Sequence, residues 1–407
     1  MSTARLTRTL ALVAAVSVAS VACAANDSTP SGSGTTAGVD IPVVTELPTP
    51  PNAVKPAGDG KATCSNATLA YVGAITGSNA QLGINILNGV QLAVNEHNAA
   101  NPNCQVQLKK FDTEGDPGRA PGVVTQVVNE ADIIGVIGLP FSGESKATGG
   151  TLDGASLVHI TPSATNPGLT QNGWTTFYRA LGNDSVQGPA AAKFITGKLK
   201  ASKVCVVQDD SDYGIGLANA ANAALGDAAK DCQDKVLTGQ KDFSATATKI
   251  ISSKAEAVFY AGYYAEAAPL DQQLDQKGFT GKFVGPDGVK DDQFLQQAGA
   301  ASKNAFFTCP CVPGELLPEF TNAYKQVSNG QAPGTYSLEG YDSATILLRG
   351  IDSGIKDRAA LRDFVKQYNG DGLSKHFQWD STGELATSTV YGYKVQDGKI
   401  QYVGTIS

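Results

Sequence analysis

Apolar and polar positions divide the chain into three stretches. Residues 9–22 are uncharged and apolar, behind Arg5 and Arg8 and with no acid nearby. This run is shorter than the roughly 20 residues that span a bilayer. Its length suits the core of a secretory signal over residues 1–22. From Asn26 to about Gly60, Ser, Thr, Gly and Pro dominate and large apolar residues are scarce. Such a composition buries too little surface to offset its ordering entropy, which predicts a flexible spacer over residues 23–64. From Thr68 onward, short apolar runs alternate with segments of helical period. Residues 68–73, 106–111, 133–137 and 157–160 read as strands, and 86–99 and 122–129 as helices. Ile86, Val90, Ala93, Val94 and His97 share one helical face. The second half repeats the scheme, with helices over 186–199, 217–229, 246–251 and 265–277. Its strands fall at 204–207, 235–237, 258–261 and 282–284. This alternation predicts an α/β architecture of doubly wound lobes with parallel central sheets covered on both faces. The roughly 345 residues beyond the spacer exceed what one core usually holds, which predicts two lobes.

Charge and cysteines sharpen this picture. The formal charge is −7, and removal of residues 1–22 takes two arginines and no acid, leaving −9. No Lys/Arg cluster is present, which argues against a nucleic-acid partner. Ser20-Val21-Ala22-Cys23 resembles a bacterial lipobox, departing from it at Ser20, where a branched aliphatic residue is usual. Lipidation of Cys23 would tether an extracytoplasmic protein to the cell membrane. Six cysteines then remain of seven. Cys64 precedes one predicted strand and Cys104 begins the next, at the same end of a βαβ unit. Cys205 and Cys232 repeat that arrangement, so bridges Cys64–Cys104 and Cys205–Cys232 are expected. Cys309-Pro310-Cys311 would close a small ring, and the pattern leaves its state open.

The loops after the strands carry the candidate chemistry, because ligands of open α/β sheets bind beyond the carboxyl ends of strands. The strand at 133–137 runs into Phe141 and Ser142, and that at 157–160 into Ser163, Ala164 and Thr165. The strand at 258–261 leads to Tyr263, and that at 282–284 to Asp287. Hydroxyls and loop N–H groups near a helix start suit a carboxylate. An acid beside backbone carbonyls suits an ammonium. Taken singly, each motif is equally an ordinary helix cap or turn.

Seven stretches in register carry a specific resemblance. They are Ala74-Ile-Thr-Gly-Ser…Leu82-Gly, Ala93-Val-Asn-Glu-His-Asn98, Ile160-Thr-Pro-Ser-Ala-Thr-Asn-Pro-Gly-Leu-Thr170, Asp184-Ser-Val-Gln-Gly188, Tyr213-Gly-Ile-Gly-Leu-Ala218, Phe259-Tyr-Ala-Gly-Tyr263 and Gly285-Pro-Asp-Gly-Val289. From Thr68 to the C-terminus the chain resembles the leucine/isoleucine/valine-binding proteins, substrate-binding components of ABC importers with the type I periplasmic binding fold. The resemblance implies no catalysis and no cofactor. It implies an amino-acid ligand, of branched-chain or hydrophobic type, and ABC permease partners. A monomer is expected. By resemblance, Ser142 and the Thr165 N–H hold the ligand carboxylate. The Ser163 carbonyl, the Thr165 hydroxyl and Asp287 hold the ammonium, Tyr263 covers the ligand, and Tyr213 lines the closing face. Asp287 stands where those binders usually carry Glu. Leu82 stands where they carry an aromatic residue, and Phe141 is bulky beside Ser142. Three hinge crossings are implied, near 183–184, 309–311 and 376–378. They would divide the chain into one lobe of 65–183 plus 310–376 and another of 184–309 plus 377–407.

Other chemistry is weaker. His97, His159 and His376 lie far apart and read as structural. No HExxH, P-loop or GxSxG motif occurs, and no metal site is expected. Asp112-Thr-Glu114-Gly-Asp116 lacks calcium-loop spacing. Two rival functions remain: a ligand sensor acting through a separate membrane receptor, and a hydrolase at Ser142, for which Glu144 is the only nearby base.

Overall fold

The computed structural model describes residues 41–64 and 67–406. The signal-like segment and Cys23 lie outside the described residues. The first half comprises β1 (Thr68–Gly73), α1 (Ala80–Ala100), β2 (Gln107–Asp112), α2 (Ala120–Asn129), β3 (Ile133–Gly138), α3 (Ser142–Gly154), β4 (Val158–Thr161) and β5 (Phe177–Arg179). These strands form a five-stranded parallel sheet in the order β2-β1-β3-β4-β5. β1 and β3 are buried along their whole length. That is why they read as continuous apolar runs rather than alternating ones.

The second half begins with α4 (Asp184–Lys193), β6 (Val204–Gln208), α5 (Asp212–Leu225), β7 (Gln233–Lys235), α6 (Ser244–Ser252), β8 (Ala257–Ala261), α7 (Tyr264–Gln276), β9 (Lys282–Gly285), α8 (Asp292–Ala298) and β10 (Ala305–Cys309). Next come α9 (Pro318–Val327), α10 (Ser337–Asp352) and α11 (Arg358–Lys366), then β11 (Asn369–Asp371), β12 (His376–Gln378), β13 (Tyr391–Gln396) and β14 (Lys399–Thr405). The second sheet has seven strands in the order β14-β13-β10-β9-β8-β6-β7. It is not wholly parallel, since β13 runs antiparallel to both β10 and β14. β11 and β12 form a separate antiparallel pair.

α10 belongs to the first sheet although it follows the second in sequence. It is buried almost all round and packs between α1, α11 and β3. The close approach depends on Gly89, where an added Cβ would lie 1.9 Å from the Ser337 carbonyl oxygen.

Four expectations shift. Residues 41–64 are placed against the body: Ile41 and Pro56 are buried, and the Val44 N–H donates to the Tyr402 carbonyl at 2.9 Å. The Val54 N–H donates to the Asp371 carbonyl at 2.7 Å. A few apolar residues and backbone bonds to distant strands are enough to order a segment whose composition predicts a spacer. α1 starts at Ala80, before the apolar period begins. β7 ends at Lys235, and Leu237 beyond it is 63% exposed. The last crossing falls later than 376–378. Trp379 donates its indole N–H to the Arg179 carbonyl at 2.7 Å, and Glu384 pairs with the Arg179 guanidinium at 2.9 Å. Those bonds keep the chain on the first sheet until after Ala386, whose N–H donates to the Gln378 carbonyl.

The three disulfides are Cys64–Cys104, Cys205–Cys232 and Cys309–Cys311. The first two are the expected pairs. The third closes the ring that the sequence left open.

Candidate ligand cleft

Loops leaving β3, β4, β8 and β9 converge with α1 and the start of α10 on one cavity. It is lined by Leu82, Pro140, Phe141, Ser142, Ser163, Tyr213, Tyr263, Asp287, Gly288 and Tyr336. Seven residues singled out from the sequence are therefore brought together from both halves of the chain.

On the side of the first sheet the groups are short and neutral. Ser142 opens α3, and its hydroxyl accepts the Asn166 N–H at 3.2 Å. The Ser163 hydroxyl donates to the Pro140 carbonyl at 2.8 Å. Ala164 and Thr165 do not line the cavity. The Ala164 carbonyl accepts from the Arg179 guanidinium at 2.6 Å, and the Thr165 carbonyl accepts the Asp184 N–H at 3.0 Å. Arg179, completely buried, also donates to the Asn166 carbonyl at 3.1 Å, so one guanidinium braces the whole 164–166 loop. Ala164 is thus a packing residue whose carbonyl is already taken.

The side of the second sheet is aromatic and acidic. Tyr263 precedes α7, with its ring 5.0 Å from that of Phe141 and 5.1 Å from that of Tyr213. Asp287 is 3% exposed. Its Oδ1 accepts from the Tyr213 hydroxyl at 2.6 Å and its Oδ2 from the Tyr336 hydroxyl at 2.9 Å. Burial raises its pKa from the ordinary value, and these hydroxyls only partly counter that. Asp184, in the first turn of α4, is fully buried nearby, with the Thr165 hydroxyl against it. Burial and the neighbouring Asp287 push its pKa well up. Among the described residues neither carboxylate has an ion-pair partner; the Arg179 guanidinium attracts Asp184 but pairs with Glu384. A buried acid pair without an ion-pair partner favours a positively charged guest.

Tyr336 escaped the sequence reading. It sits at φ 64° and ψ 8°, a left-handed conformation unusual for a bulky residue. Nothing in the neighbouring residues signals this, because the conformation is held by the docking of α10. Asp184 stood within a matching stretch, but its closeness to Asp287 depends on how the halves pack.

The two halves also meet directly around the cavity. The Asn85 amide donates to Asp291 at 2.9 Å, the Asn166 amide to the Asp212 carbonyl at 2.6 Å, and Lys146 to Asp212 at 2.6 Å. His97, Cys104 and Asp352 cluster elsewhere, but the Cys104 sulfur is bonded to Cys64 and offers no thiolate to a metal. The acids of 112–116 serve the backbone: Asp112 accepts from the Ile75 and Glu114 N–H groups, each at 2.9 Å. His159 is buried beside Phe177, its pKa lowered by burial to about 4, away from the cavity.

Residues 67–399 match the profile of a family described as periplasmic binding protein. An amino acid binding protein of Pseudomonas aeruginosa is 31% identical over 341 residues, covering 82% of this chain and 91% of that one. The Leu/Ile/Val-binding protein of Escherichia coli K12 is 31% identical over 326 residues, covering 78% and 87%. A branched-chain amino acid transporter substrate binding protein from Streptococcus pneumoniae, solved with isoleucine, superposes with a TM-score of 0.77 at 26% identity, covering 84% of this chain and all of that one. The chain belongs to the periplasmic binding protein family, whose members are extracytoplasmic solute-binding proteins of the type I fold rather than enzymes.

Proposed function

We propose that the protein captures a free α-amino acid between its two halves and presents the closed form to an ABC permease. The observation that carries this is Asp287, buried with no ion-pair partner among the described residues and held by two tyrosine hydroxyls, across the cavity from Ser142 at the start of α3. The ammonium completes the acid pair, and the carboxylate meets Ser142 and the N-terminus of α3. The apolar part of the lining, Leu82, Pro140 and Phe141, takes the side chain. The names of the relatives support an amino-acid ligand, with branched-chain and smaller amino acids both among those named.

Binding needs no covalent step. The chain crosses between the halves near 180–183, after Cys309 and after Ala386, and these segments act as the hinge. Ligand contacts made from both sides shift the population toward the closed form. Lipidation of Cys23 tethers the protein at the membrane. Calorimetry against the common amino acids tests the ligand, with saturable one-to-one binding expected. A purified, folded protein that binds none of them overturns the reading. Release of Cys23→Ala from cells into the medium tests the tether, and wild type found wholly in the medium would contradict it.

A further inference from the structure

Two empty spaces lie on either side of one ring. The cavity beside Asp287 is small, and a larger cleft, partly open to solvent, adjoins it. Phe141 and Tyr263 line both, so this pair is the partition. Their rings meet edge-on at 5.0 Å, one from each half of the chain.

Phe141 is anchored at its backbone and packed along one side of its ring. Its N–H donates to the fully buried Glu144 carboxylate at 3.2 Å, which fixes the backbone at the start of α3. Behind the ring lies Gly115, where an added Cβ would come within 3.2 Å of the Phe141 ring. Gly115 also has φ +75°, a conformation few other residues would accept. Phe141 is 6% exposed, so the ring is packed even though it borders the larger cleft.

An amino acid whose head group is fixed by Asp287 and Ser142 must direct its side chain at the remaining apolar wall. Leu82 narrows that wall from α1, and Phe141 closes it. We infer that Phe141 sets the specificity of the cleft, admitting short side chains such as those of alanine, serine and threonine and disfavouring leucine and isoleucine. The inference rests on the amino-acid reading above and narrows it. Each additional methylene must displace a packed ring or leave the head group out of register, and a pocket discriminates about tenfold or more on that basis.

Calorimetry on wild-type protein with alanine, serine, threonine, leucine and isoleucine is the primary test. The expected result is an alanine Kd at least about tenfold tighter than that of leucine. In Phe141→Ala, which joins the cavity to the larger cleft, the alanine-to-leucine affinity ratio should move about tenfold or more toward leucine. Phe141→Leu, which keeps an apolar side chain there, should move it the same way by less, and it decides the matter if the alanine variant does not fold. Leucine or isoleucine binding to wild type as tightly as alanine overturns the inference while leaving the amino-acid reading intact. An unmoved ratio in a folded variant overturns it as well. Binding of no free amino acid by folded wild type overturns both.

Discussion

Two buried charge clusters in this molecule are built on opposite principles. At the far end of α1, His97 is buried with its Nε2 2.8 Å from Asp352, while Arg349 pairs with the other Asp352 oxygen at 2.6 Å. Its Nδ1 lies 3.0 Å from the Asn98 amide oxygen. Burial alone would lower the His97 pKa, but the hydrogen bonds and charge of Asp352 win and hold it raised. That cluster is complete, and it ties α1 to the end of α10. In the cleft, Asp287 and Asp184 are equally buried and, among the described residues, have no ion-pair partner. A compensated cluster stabilises a fold. An uncompensated one costs free energy until something charged arrives. The contrast separates a structural charge from a binding one without reference to conservation.

Breaking each cluster should therefore have opposite consequences. The largest effect belongs to Asp287→Asn, which removes the partner of the ligand ammonium. Loss of one member of a buried pair costs about 3–5 kcal/mol, a few hundred-fold or more in affinity. Calorimetry should show that loss, with the melting temperature of the empty protein unchanged or higher. His97→Ala should do the reverse: folding stability falls by about 3 kcal/mol in urea titrations, and ligand affinity stays within error of wild type. A variant at either position with the other's phenotype would dissolve the distinction.

Smaller effects sharpen it. Tyr336→Phe deletes one hydroxyl from a charged acceptor, so ligand affinity should change by about tenfold or less. The direction tests whether that hydroxyl holds Asp287 ionised, in which case affinity falls. The pH dependence follows from the sign of the Asp287 shift. Its folded-state pKa is raised, so the empty cleft keeps a proton to higher pH than an ordinary carboxylate would. An ammonium ligand needs the ionised form, so affinity is present at high pH and is lost as pH falls through the raised value. Titrations run downward in pH from neutrality should show weakening of at most about tenfold per pH unit for one proton. Affinity that rises on acidification would place the ligand's charge the other way round.

Much of this was legible in the chain. β1 and β3 announced themselves as unbroken apolar runs because both faces are covered. Ser142, Tyr263 and Asp287 follow strand ends, where such sheets leave their ligands. The bridges Cys64–Cys104 and Cys205–Cys232 followed from the position of each cysteine at one end of a βαβ unit. Other features were not legible for stated reasons. The polar composition of 41–64 conceals Ile41 and Pro56, whose burial depends on surfaces supplied by distant strands. The late crossing after Ala386 depends on Arg179, more than 200 positions earlier than Glu384.

Local pattern thus determined the elements, the class of fold and the loops that could meet a ligand, because periodicity and strand-end chemistry act over a few residues. Tertiary structure alone decided which acids, among the described residues, would be left without an ion-pair partner. Asp287 depends for its environment on Asp184, on Tyr213 and on a left-handed Tyr336 carried in by α10. Tertiary structure alone also closed the side-chain space, by setting Phe141 against Tyr263 from the opposite half. Burial and charge balance are sums over neighbours brought from the whole chain, and no short window of residues contains that sum.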